Sequence, residues 1–171
     1  MSTTDFDWEG FRALFGRVET LLAEEPADVT TFAADCRRTV AYLYTAGVSM
    51  PDAADVFEDA GGDEFWAGAM KLAPADTDAA AAEAAISALA ARLRESISAA
   101  QSDELDEELD DEILEAAGRL WDVRTSLAEG AALFDAHRLH EAAWEWSFGF
   151  DEWGSGALSA MISLHDLLWG A

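Results

Sequence analysis

Apolar residues recur at three- and four-residue steps along most of the chain, the spacing of helices that bury one face. Trp8, Phe11, Phe15, Val18 and Leu22, widened by Leu14 and Leu21, predict a first helix over about 5–24. Thr3 or Thr4 is placed to cap its start, and Pro26 follows its end. Phe32, Cys36, Val40, Leu43 and Tyr44 predict a second helix over about 29–46, with Gly47 as a left-handed terminator. Residues 48–62 are less regular. Pro51 suits the first turn of a short helix over 51–57, Gly61 and Gly62 break it, and a further short helix is expected over about 63–72 before Pro74.

The third long stripe is Ile86, Leu89, Leu93 and Ile97, on a helix expected over about 77–98. Its alanine-rich first half has high helix propensity and little side chain to bury, which suits close approach to a neighbour. Leu105, Leu109, Ile113, Leu120, Leu127 and Phe134 then continue at helical intervals to about Ala136. A turn is expected at 135–139, followed by a helical hairpin or kinked helix with Leu158, Ile162, His165 and Leu168 or Trp169 on one face. Gly149, Gly154 and Gly156 would mark the kink or a close approach. There is no asparagine, hence no Asn-Gly hairpin signal, and neither an internal repeat nor a linker divides the chain. The prediction is all-α: one domain over 1–171, a bundle of four or more helices with a C-terminal aromatic-rich hairpin.

Composition changes that picture in one respect. Of 171 residues, 51% are hydrophobic, with seven Trp and nine Phe, so a packed core is affordable and disorder is not indicated. Yet 35 Asp and Glu face only 10 Lys and Arg, giving a net charge of −25. Such a surface excludes unaided binding to nucleic acid or an anionic membrane and steers toward basic partners. The acidic N-terminus lacks a signal-peptide core, and no apolar run approaches the roughly 18 residues of a membrane span. A soluble cytoplasmic protein is expected.

Candidate chemistry is sparse. Cys36, the one cysteine, permits no internal disulfide; it reads as a small buried hydrophobe, or as a thiolate activated by Arg37 or Arg38. Residues 103–112 hold eight acids, and Asp103, Glu104, Asp106, Glu107, Asp110 and Asp111 define an acidic patch. The run lacks the turn glycine of a calcium loop and has helical Leu spacing, so a solvated helix face is the better reading. His137 and His140 are three apart without a partner pair elsewhere, so no metal site is assigned. His165 is a general-base candidate only if a carboxylate orients it. The sharpest local feature is the block Trp144, Trp146, Phe148, Phe150 and Trp153, which on a helix spreads rings around most of the circumference. It reads either as a central core element or, with His165, as an aromatic-lined pocket. Phosphate loops, nucleophile elbows and dinucleotide fingerprints are absent; no catalytic residue or cofactor is assigned.

The region 112–168 resembles a bacterial helical family, domain of unknown function 5063. The resemblance rests on 120–130 (LWDVRTSLAEG), 141–148 (EAAWEWSF), Trp153-Gly154, Ala157-Leu158 and Leu164-His165, with a looser match at Tyr42, Leu43, Tyr44, Ala46, Gly47 and Pro51. It covers about a third of the chain well. Relatives commonly carry His-Trp-Gly-x-His around the Trp-Gly pair, whereas Glu152 and Gly156 stand at those positions here. The resemblance therefore implies an all-helical fold, no established activity, and loss of any chemistry those histidines carry.

Together these features favour a non-enzymatic helical protein-binding module, of the kind of an acidic inhibitor or immunity protein for a basic partner; homo-oligomerisation stays open. The alternative is a small-ligand binder or enzyme with an inter-helix pocket lined by Trp144, Trp146, Phe148, Trp153 and His165. A third reading makes the acidity an adaptation to high salt.

Overall fold

The computed structural model describes residues 5–62, 78–101 and 107–170. Among these, seven α-helices occur and no strand: α1 (Trp8–Ala23), α2 (Phe32–Val48), α3 (Ala53–Asp59), α4 (Ala79–Gln101), α5 (Glu107–Asp135), α6 (Leu139–Phe148) and α7 (Phe150–Trp169). A 3₁₀ turn, Val29–Thr31, leads into α2. The all-α expectation holds. The helix expected over 63–72 lies outside the described residues.

Helix α7 is the centre, packed between α2 and α5, with α6 against α5, α4 against α5, α1 against α2 and α3 against α6. Its buried face is Trp153, Gly154, Ala157, Ala160, Leu164 and Leu167. This corrects the stripe read from sequence: Ile162, His165 and Trp169 lie on the outside. A helix held between two others needs small residues where the axes approach, and weighting by side-chain size misses that face.

Two further boundaries differ from expectation. Asp7 caps α1, its Oδ1 accepting the Gly10 amide at 2.8 Å; Thr3 and Thr4 lie outside the described residues. Gly47 is not a left-handed terminator, because α2 continues through it to Val48 and the positive-φ glycines are Gly61, Gly62 and Gly170. A Cβ on Gly47 would lie 2.5 Å from Phe150 Cε2 and collide with the Trp153 ring. Its service is close approach. Pro51, too, sits before the cap residue Asp52 rather than inside the first turn of α3.

Helix α4 contributes more than its composition suggests. Thr31 provides no side-chain cap for α2; instead the buried Ser96 of α4 accepts the Ala33 amide at 3.0 Å. One turn earlier, Arg92 donates to the carbonyls of Leu22 and Glu24 at 2.6 Å each, satisfying the C-terminal end of α1. The same guanidinium lies over the Phe32 ring at 5.2 Å.

Gly130 and Gly118, both on α5, make opposite predictions. A Cβ at Gly130 would lie 2.5 Å from Cδ1 of the buried Trp146, whereas Gly118 has open space. Gly130→Ala should lower the melting temperature through overpacking of about 1–3 kcal/mol, which outweighs its gain in helix propensity. Gly118→Ala should raise stability by about 0.5–1 kcal/mol. Paired thermal melts check both signs.

Candidate functional site

The aromatic block of the C-terminal third is divided by the structure into an inner and an outer set. Trp146 on α6 is fully buried; its Nε1 donates to the Leu127 carbonyl at 3.1 Å. Around it stand Trp8, stacked at 6.1 Å, and Phe11 and Phe134 at 5.0 and 5.8 Å. Trp153, near the start of α7, is equally buried and donates to the Trp146 carbonyl at 2.9 Å. Phe150 meets it edge-on at 4.9 Å, and Phe11 lies 5.7 Å away. Both indoles are saturated by core contacts.

Trp144 and Phe148, four residues apart on the outer side of α6, stack on each other at 4.7 Å. Phe148 is 65% exposed. His165 is exposed on α7 beside Trp169, with ring centroids 5.1 Å apart. Fourteen residues separate it from Asp151 on the same helix, or roughly 20 Å of axial rise. Thus Trp144, Trp146, Phe148, Trp153 and His165 do not line one cavity, and no carboxylate at the start of α7 orients His165. The residues share a sequence neighbourhood, not a site.

Of the acidic patch, Asp103, Glu104 and Asp106 lie outside the described residues, as does the side chain of Glu107. Asp110 pairs with Arg94 across the α4–α5 contact, while Asp111 is exposed on α5. His137 occupies the α5–α6 turn at φ 60° and His140 lies in the first turn of α6, so one helix face does not present both. Among the described residues no group of three His, Cys, Asp or Glu is placed to hold a metal ion.

Cys36 is fully buried on α2. Burial pushes its thiol up to about 12, outweighing the nearby Arg92 charge. The activated-thiolate reading therefore fails: Arg38 turns to Asp35 at 3.1 Å and Arg37 lies over the Trp169 ring at 4.6 Å. Glu145 on α6 is half-buried, and its carboxyl is raised by desolvation and then by the charge of Glu129.

Surface clefts open at three places among the described residues. One of about 540 Å³ runs between α1 and α2, with Leu14, Leu21 and Tyr42 beside Arg17 and Arg38. Another, about 370 Å³, lies between α5 and α7 at Asp122, Ser126 and Glu152, with an edge of Trp153 at its base. A third, about 420 Å³, lies where the α2–α3 connection faces the α6–α7 elbow and includes Phe148. Sequence reasoning missed all three as concavities, since each is formed by residues far apart in the chain. No family model, curated protein or solved structure matches the chain in comparison.

Two measurements follow from the buried groups. Native Cys36 should resist thiol reagents at mildly alkaline pH and react only on unfolding, with an alkylation rate that tracks denaturant. Its folded value lies above its ordinary 9.0, so its stability contribution is complete below pH 9 and declines as pH climbs toward about 12. For Glu145, whose folded value is also raised, ionisation disfavours the fold as pH rises through the carboxylate range. Glu145→Gln should therefore raise the melting temperature at neutral pH, with the gain vanishing in acid, where Glu145 is protonated in both states.

Proposed function

We propose that this protein is a non-enzymatic helical module that binds a basic protein partner through its carboxylate surface, as an acidic inhibitor or immunity-type protein does. The observation that carries this reading is where the cations go. Arg12 bonds Asp135 and Glu19, Arg94 pairs with Asp110, Arg119 with Glu115 and Ser163, and Arg138 with Glu141. Arg92 is committed to backbone carbonyls of α1, and Arg37 and Arg124 lie over the rings of Trp169 and Trp121. With so few cations and most of them engaged internally, the carboxylates have little left within the chain to neutralise them.

Helix ends add to the same field. Acids occupy the first turns of α1, α2, α3, α6 and α7, and no basic residue stands in the last turn of any described helix. The C-terminal ends of the helix dipoles are left without compensating cations in their own last turns. A basic partner meets helix C-termini that lack cations of their own, and its approach is accelerated by the field. No described helix is long and apolar enough to cross a membrane. A cytoplasmic bacterial setting and membership of the family of domain of unknown function 5063 belong to the same proposal.

The test is affinity capture from native lysate at low salt, with elution by increasing salt and reconstitution from purified components. A specific basic protein should elute, and its affinity should fall by about an order of magnitude or more between low and moderate ionic strength. Affinity indifferent to salt would remove the electrostatic reading. If no partner is captured, and thermal stability rises steeply up to molar salt, the acids serve salt adaptation instead.

A further inference from the structure

We infer that the cleft between the α2–α3 connection and the α6–α7 elbow is the docking site on that acidic surface, and that it takes an aliphatic–basic segment of the partner protein. The inference rests on the reading above and adds a place and a side-chain chemistry to it. The cleft is lined by Val48, Met50 and Pro51 on one side and by Ser147, Phe148 and Asp151 on the other. Val48 and Phe148 are 60% and 65% exposed, so large apolar side chains stand at the water boundary on both sides. The rim carries Asp52 and Asp151, and no Lys, Arg or His is among the lining residues. Asp52 gives one oxygen to the Ala54 amide at 2.9 Å, and Asp151 is exposed at the start of α7. Ser147, in the same lining, has a buried Oγ without a hydrogen-bond partner.

Charge complementarity selects the occupant. An acidic segment would meet two carboxylates and the field of the whole chain, whereas a purely apolar one would leave both carboxylates desolvated without partners. A segment that alternates aliphatic and cationic side chains covers Val48 and Phe148 with its carbons and reaches Asp52 and Asp151 with its charges. Gly47 lets the end of α2 pack closely against Phe150 and Trp153, and Trp153 donates to the Trp146 carbonyl at 2.9 Å, a close-packed floor of the kind that lowers the ordering cost of docking.

The experiment titrates the ¹⁵N-labelled full-length chain at low salt with two synthetic peptides of equal charge, one alternating lysine and leucine, the other lysine and serine. The Lys/Leu peptide should shift the amides of Val48, Ser147, Gly149 and Asp151 together and bind more tightly. Phe148→Ser and Val48→Ser should each weaken it about tenfold, and Asp151→Asn about threefold, with the Lys/Ser peptide unaffected by the two apolar variants. Melting curves of all variants should stay near the parent, and Val48→Ser keeps the test decisive if loss of the Trp144 stack disturbs Phe148→Ser. If both peptides bind equally, shift only acids elsewhere and ignore these substitutions, the cleft is not the docking site while the electrostatic reading stands. Failure of both peptides to bind at low salt overturns both readings, and failure of the Lys/Leu peptide alone overturns the cleft.

Discussion

The hydrogen bond from the Trp153 indole to the Trp146 carbonyl is the constraint on which the C-terminal half of the bundle depends. Trp146 stands in the last turn of α6, where carbonyls lack an intrahelical partner. Trp153, just beyond the elbow, supplies the missing donor from its side chain and thereby fixes the angle between α6 and α7. Burying an indole is favourable only when its N–H finds an acceptor. Trp146 meets the same requirement through Leu127, which ties α6 to α5. Two large rings thus orient three helices. The glycines at 47 and 130 exist, in physical terms, to let those rings lie where the bonds demand.

That arrangement explains what kind of surface remains. With both indoles turned inward, the outer side of the hairpin keeps Phe148, Ile162 and Trp169 as separated apolar points within an acidic coat. The inward rings contribute chiefly packing, with Trp153 also lining an open cleft. The interactive potential of the molecule accordingly resides in its rim, where carboxylates and isolated apolar side chains alternate. Such a surface suits recognition by a partner with the opposite charge pattern.

Much of the fold was legible because its larger stripes obey helical period. Phe11, Phe15, Val18 and Leu22 on α1, and Ile113, Leu120 and Leu127 on α5, are buried as their spacing predicts. What escaped was carried by small or polar residues. The inward face of α7 is built on Gly154, Ala157 and Ala160, which a size-weighted reading passes over in favour of Ile162 and Trp169. Ser96 and Arg92 act on backbone groups some 63 to 70 positions away, a relation no local pattern encodes. The candidate site suffered most. Alternation of aromatics within ten residues announces that rings are abundant, but only the elbow at Gly149 decides which are enclosed and which stay in water.

Helix α4 has a consequence of its own. The longest alanine-rich stretch of the chain would be expected to fray independently, since it buries few large side chains. Yet Arg92 and Ser96, one turn apart on it, hold the end of α1 and the beginning of α2. Local opening of α4 would therefore strip two other helices of their terminal partners in the same event. Cooperativity in this bundle is transmitted through helix ends as well as through the core, and its plainest helix acts as the latch.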